Sequence, residues 1–151
     1  MFKKIIFILS MMTFIYSAVL SAYAKDKNQC TPIEKIAIDM GYVVSKLPKN
    51  TLELLKDGRF IYAEIDYDFC SVTLVSKIDN TNPEKINYIY SWNNKKGYLG
   101  KATFSDENIY FEQTMILANA PEELIAMQMI IYEVEVQKFY MNIKKINKIK
   151  I

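Results

Sequence analysis

The sequence contains no histidine, and its glycines are few and scattered. Without histidine the chain lacks the commonest general base, the commonest zinc ligand and the base of every Ser-His or Cys-His nucleophile. The four glycines form no phosphate-binding loop, and neither G-x-S-x-G nor G-x-G-x-x-G occurs. We therefore expect a protein that is not an enzyme and that uses no metal ion or cofactor. A hydrolase that works with carboxylates alone is the remaining enzymatic alternative.

An excess of charge of one sign is also missing. The chain has 19 basic and 17 acidic residues, and two of the basic ones, Lys3 and Lys4, lie in the N-terminal segment considered next. Without that segment the chain is formally neutral. Nucleic-acid binding requires a strong basic footprint, so we expect no nucleic-acid partner.

The first 24 residues have the pattern of a cleavable export signal. Two lysines precede an uncharged apolar run from Ile5 to Leu20, and Ala22-Tyr23-Ala24 is the small-x-small motif of signal peptidase. The run is shorter than the roughly 20 residues of a spanning helix, which favours cleavage over an uncleaved membrane anchor. The sequence therefore predicts a signal peptide at 1–24 and one globular domain at 25–151. That domain would lie in the periplasm or outside the cell, without a stable membrane span.

The remainder of the chain has only two cysteines, Cys30 and Cys70. In an oxidising compartment an even pair is most simply a disulfide, which would add about 3–4 kcal/mol in the chain-entropy model. The C-x-x-C spacing of a redox pair is absent. A structural disulfide is the prediction, and two free thiols are the alternative.

Apolar residues at three- and four-residue steps predict an N-terminal helix. A capping box at Thr31–Glu34 would begin it, and Pro48 would end it after an apolar stripe from Ile33 to Leu47. A second short helical stretch is predicted over Leu52–Leu55, and Gly58 would stop it.

Alternating apolar and polar residues then predict an antiparallel sheet of about four to five strands. The predicted strands are Phe60–Phe69, Cys70–Ile78, Ile86–Trp92, Tyr98–Phe104 and Ile109–Leu117, of which the last also allows a helix. The turns between them are predicted at Asp79–Pro83, Asn93–Gly97 and Ser105–Asn108. A long C-terminal helix, capped by Asn119 and apolar to about residue 146, would pack on the sheet. This order of elements indicates the α+β class.

Three acidic residues, Glu64, Asp66 and Asp68, alternate along one predicted strand and would project from one face. Converging carboxylates could bind Ca²⁺ or act as an acid–base pair, but the Ca²⁺ loop pattern is absent. The favoured interpretation is a solvated sheet face. The alternative is an acidic surface that meets a basic partner.

Four aromatic residues form a second candidate site: Tyr88, Tyr90 and Trp92 on one predicted strand, and Tyr98 across a turn. An open face of this kind would be an anchor for a protein or a platform for a sugar. A face covered by helices would simply be core, which is the favoured interpretation.

The final helix is rich in methionine, with Met127, Met129 and Met141. Its apolar residues wrap most of the circumference, which predicts a helix covered on more than one side or one that meets a partner.

Small exported chains with one disulfide and no catalytic motif are often accessory or inhibitory proteins. We therefore expect a non-enzymatic protein-interaction factor, such as an accessory component of a pilus, secretion or other envelope assembly. The alternative is an immunity or inhibitor protein that blocks a toxin or enzyme through the acidic residues or the Asn93–Gly97 turn. These expectations rest on class-level association.

Overall fold

The computed structural model describes residues 30–79, 84–105 and 108–146. The predicted export signal, most of the predicted turn at Asp79–Pro83 and the middle of the Ser105–Asn108 turn lie outside the described residues. The elements in chain order are α1 (Ile33–Asp39), β1 (Val43–Leu47), β2 (Thr51–Lys56), β3 (Arg59–Asp66), β4 (Ser71–Asp79), α2 (Glu84–Asn93), β5 (Lys101–Ser105), β6 (Asn108–Ile116) and α3 (Glu122–Ile146).

The described strands form one antiparallel sheet in the order β1-β2-β3-β4-β6-β5. Residues two apart on each strand face the same side, and the register places Leu54 beside Ile61 and Ala63 beside Leu74 on the buried face. All three helices contribute side chains to the core on this face. The predicted α+β class, the antiparallel sheet and the long C-terminal helix packed on it are confirmed, with six strands rather than four to five.

The predicted helix over Ile33–Leu47 is wrong beyond Asp39. Gly41 adopts a left-handed φ of 86°, and the hydrogen bonds Tyr42 N–H to Ala37 O (3.0 Å) and Gly41 N–H to Ile38 O (2.9 Å) form a Schellman C-cap. The chain then continues as β1, where β-branched Val43 and Val44 suit a strand. The apolar residues between Ile33 and Leu47 therefore belong first to a helix and then to a strand, whose side chains repeat with different periods.

The predicted short helix over Leu52–Leu55 is also wrong, because these residues belong to β2. Asp57 and Gly58 have φ values of 52° and 71° and form a two-residue hairpin loop between Lys56 and Arg59. An Asp-Gly pair between alternating apolar residues is a strong hairpin signal, so Gly58 marks a strand reversal rather than a helix stop.

The predicted strand over Ile86–Trp92 is wrong, since this segment lies within helix α2. Lys85, Ile89 and Trp92 are buried, a spacing of four and three residues that belongs to a helix. The predicted turn at Asn93–Gly97 consequently joins a helix to β5 rather than two strands, and Gly97 in it has a left-handed φ of 90°.

The remaining predictions differ from the structure mainly at element boundaries. The first predicted strand corresponds to β3, which ends at Asp66, so Tyr67 and Phe69 lie in the turn that follows. The strand predicted at Ile109–Leu117 is β6, which covers Asn108–Ile116, and the helical alternative is wrong. Helix α3 begins at Glu122, so Asn119, with φ 51°, does not cap it.

Candidate functional site

One edge of the sheet is closed by a side chain. On edge strand β5, the Asn93 amide nitrogen donates to the Ala102 carbonyl (2.7 Å), and the Ala102 N–H donates to the Asn93 side-chain oxygen (2.8 Å). Helix α2 also packs along this strand. Backbone groups that would otherwise face a new strand are thus occupied here.

The opposite edge, strand β1, is open. Within the described ranges, no group outside β2 is hydrogen-bonded to the backbone of Val43–Leu47. Val43 is 64 % exposed and Leu47 is 38 % exposed, while Val44 is half-buried. An edge of this kind can receive an extended segment of another chain as an additional strand.

A cavity of about 450 Å³ opens beside the end of β1. Its lining mixes apolar side chains with polar and charged ones. Two of the charged residues, Lys46 and Glu34, form an ion pair (2.9 Å), and the hydrogen bond to Glu34 raises the pKa of Lys46. The cavity is lined by residues 30–34, Lys46, Leu47, residues 49–52, Ile65, Tyr67 and Leu117. We call β1 and this cavity together the β1 edge site.

A disulfide holds one wall of the β1 edge site. The structure joins Cys30 to Cys70, whose Cα atoms are 5.2 Å apart, within the range of disulfides. Leu117 lies between the two segments: its N–H donates to the Cys70 carbonyl (2.7 Å), and its carbonyl accepts from the Thr31 N–H (3.1 Å). The predicted capping by Thr31 is wrong, because its hydroxyl instead lies 2.7 Å from the Ala120 carbonyl oxygen.

The three acidic residues do not form a common site. Glu64 and Asp66 lie on the open face of β3, whereas Asp68 lies in the following turn. Asp66 Oδ1 accepts from the backbone N–H groups of Asp68 (2.9 Å) and Phe69 (3.1 Å), so this carboxylate shapes the turn. This geometry agrees with the interpretation as a solvated face; binding of a partner there stays a prediction.

The four aromatic residues do not share an exposed face. Trp92 is 1 % exposed and stacks on half-buried Tyr98, with ring centroids 4.2 Å apart, whereas Tyr90 projects into solvent. Tyr88 is half-buried beside Phe139, at a centroid distance of 5.5 Å. Trp92 and Tyr98 therefore act as core.

A buried carboxylate fixes the loop next to this aromatic cluster. Glu135 of α3 accepts the backbone N–H groups of Leu99 (3.2 Å) and Gly100 (2.8 Å). A Cβ at Gly100 would collide with the ring of buried Phe111, so this position requires glycine. The loop that follows α2 is thus held by the core.

The β1 edge site was missed from the sequence because β1 was assigned to a helix. The signal lay in Gly41 followed by Val43-Val44, which favours a helix stop and then a strand. In the described part of the chain, no cluster of acidic and cysteine residues has the arrangement of a metal site. No helix of that part combines the length and hydropathy needed to cross a membrane.

No protein-family model matches this chain, and no curated protein matches it. Among solved structures, the chain is similar to YbjN from E. coli, which is described as a candidate transcription regulator. The TM-score is 0.60 at 13% sequence identity, and the alignment covers 76% of this chain and 90% of that chain. At this identity the similarity concerns the fold alone.

Proposed function

We propose that this chain is an exported, non-enzymatic protein-interaction factor that binds an extended segment of another protein at the β1 edge site. The observation that carries the proposal is the contrast between the two sheet edges. Asn93 occupies the outward backbone groups of Ala102 on β5, whereas the backbone of β1 has no such cover among the described residues. An open edge strand presents unpaired backbone groups that can pair with another chain, which is why this contrast supports binding at β1.

The β1 edge site also indicates the chemistry of the partner. Main-chain hydrogen bonds along five residues would supply affinity, and an apolar side chain of the partner would enter the cavity over Leu52 and Ile65. The Glu34–Lys46 pair at the rim would favour a polar residue on either side of that anchor.

The cellular setting is proposed from the N-terminal segment and the cysteines. A signal of the cleavable type would deliver the chain to an oxidising compartment, where the Cys30–Cys70 bond persists. We propose an accessory role in a pilus, secretion or other envelope assembly. Such assemblies commonly join subunits by adding strands to sheet edges.

A pair of adjacent proline substitutions tests the β1 edge site. Along an antiparallel edge strand, alternate N–H groups point toward the neighbouring strand and outward. Of Ser45→Pro and Lys46→Pro, one therefore removes an inward N–H and unfolds β1, and the other removes an outward N–H and leaves the fold intact. Thermal unfolding of both identifies the tolerated variant.

The tolerated variant is then compared with the parent protein in partner capture. A photo-crosslinking residue is placed at Val43 in both, and at Thr114 on the exposed sheet face as the control. We expect one envelope component to crosslink from Val43, not from Thr114, and to be lost in the tolerated proline variant. Capture of a toxin-like enzyme would favour the inhibitor alternative, and capture unaffected by proline would refute binding at the β1 edge.

A further inference from the structure

Helix α3 has two apolar faces on opposite sides. The inner face packs into the core through Ile125, Met129, Tyr132, Phe139 and Ile143, each at most 2 % exposed. This pattern explains why apolar residues wrap most of the helix: the sheet and the other helices cover only half of them.

The outer face carries a second stripe, which we call the α3 outer stripe: Met127, Ile130, Val134 and Met141. These side chains are 50 %, 53 %, 59 % and 51 % exposed. Met127, Val134 and Met141 are separated by seven residues each, and Ile130 lies three residues after Met127. This is the spacing of side chains that pack against another helix.

The charges on the same face are divided between the two ends of α3. Glu123 lies in the first turn, and Lys138 and Lys145 lie in the C-terminal half; all three are exposed. The positions are symmetric about Val134: Met127 and Met141 lie seven residues to either side, and Glu123 and Lys145 lie eleven to either side. Reversal about Val134 therefore brings Met127 to Met141 and Glu123 to Lys145. Ile130 comes opposite Lys138, whose ammonium lies over the Tyr98 ring of its own chain (4.9 Å).

We propose that the α3 outer stripe is a self-association surface, in which two copies of this chain pair their α3 helices antiparallel about a two-fold axis at Val134. The axis places Val134 against Val134 of the second copy and Met127 near Met141 of the second copy. Each Glu123 then meets Lys145 of the other chain. An interface of this isologous type uses the same residues from both subunits.

The direction of pairing follows from the charges. A parallel arrangement would place the Lys145 side chains of the two copies side by side and the Glu123 side chains likewise, and like charges in contact oppose association. The antiparallel arrangement brings acidic ends to basic ends twice. A foreign helix could match the apolar stripe alone, but the equal spacing of Met127 and Met141, and of Glu123 and Lys145, about Val134 is matched by a second copy.

Sedimentation equilibrium of the disulfide-bonded chain without its signal tests the pairing. We expect a reversible monomer–dimer equilibrium, which Val134→Asp weakens by about tenfold or more because residues at the centre of an interface dominate its energy. Ile116→Asp introduces the same charge at a site of similar exposure on the open face of the sheet, opposite α3, and should leave the equilibrium unchanged. Circular dichroism verifies that both variants are folded.

A charge swap tests the orientation. Glu123→Lys should weaken the dimer, Lys145→Glu should weaken it likewise, and the two together should restore it. Only antiparallel pairing predicts this rescue, since a parallel dimer would have each residue beside its own copy.

Cysteine crosslinking tests the position of the axis. A residue on a two-fold axis can bond to itself, so Val134→Cys should form a 134–134 disulfide under mild oxidation, identified by peptide mass spectrometry. Met127→Cys alone should not, because its counterpart lies near position 141. The proposal would be overturned if the protein stays monomeric at high concentration. It would also be overturned if Val134→Asp leaves the dimer affinity unchanged, or if no 134–134 crosslink forms.

Discussion

Reduction of the Cys30–Cys70 bond should lower the free energy of unfolding substantially. The cysteines are separated by 40 residues, and closing a loop of that length in the unfolded chain costs about 13 cal/mol/K, or ~4 kcal/mol at 25 °C. The native geometry does not depend on the bond alone, because the Leu117 backbone hydrogen-bonds to both Thr31 and Cys70. The stabilisation is therefore expected to arise mainly in the unfolded state.

Urea unfolding monitored by fluorescence of Trp92 gives the measurement. With an m-value of about 2 kcal/mol/M, the loss should move the midpoint down by ~2 M when reductant is added. The Cys30→Ala/Cys70→Ala double variant is the control: it should reproduce the reduced midpoint and be unaffected by reductant. A midpoint that moves by less than about 0.5 M would refute the entropic reasoning, provided that thiol labelling shows no free thiol in the oxidised protein.

Three further changes probe the core. Tyr132→Phe removes the hydroxyl that lies 2.9 Å from the hydroxyl of buried Ser76. The free energy of unfolding, measured in urea, should fall by about 1–3 kcal/mol. Burial also raises the pKa of Tyr132 above its ordinary value of 10.0, so the stability of the parent protein should fall more steeply above about pH 10 than that of this variant. Glu135→Ala leaves two backbone N–H groups without an acceptor and should lower the free energy of unfolding by ~3 kcal/mol. Glu135→Gln retains one acceptor and should lower it by about half as much. Equal losses for the two variants would contradict this account. Gly100→Ala should lower the thermal midpoint by an amount equivalent to about 1–3 kcal/mol, because fully buried Phe111 has no room to move.

The sequence predicted the class of fold because its strongest signals are local and regular. Apolar residues recur with a clear period in β3, β4 and α3. The disulfide was predicted from the number of cysteines and from the predicted compartment. Trp92 was correctly favoured as core, although for the wrong reason, since it lies on a helix rather than on a covered strand.

The errors have a common physical origin. Segments 43–55 and 86–92 are apolar at positions that fit both a period of two and a period of 3.6, so tertiary packing decides between strand and helix. The decisive local signals were the turns: Gly41 ends α1, and Asp57-Gly58 reverses the chain. The inner and outer faces of α3 could not be separated from sequence, because a helix that is apolar all round does not reveal which side meets the core.

The fold leaves two surfaces available for association. The backbone of β1 lacks a partner like the one Asn93 gives Ala102 on β5, and Val134 and Met141 are exposed apolar side chains on one face of α3. Charged groups lie beside each surface, Lys46 at the β1 edge and Glu123 on α3, and charges of this kind suppress indiscriminate association while permitting a complementary one. Because β1 and the outer stripe of α3 share no residue, binding of a partner at one and self-pairing at the other are separable by mutation. A Val134→Asp protein that still captures its β1 partner would demonstrate that the two surfaces act independently.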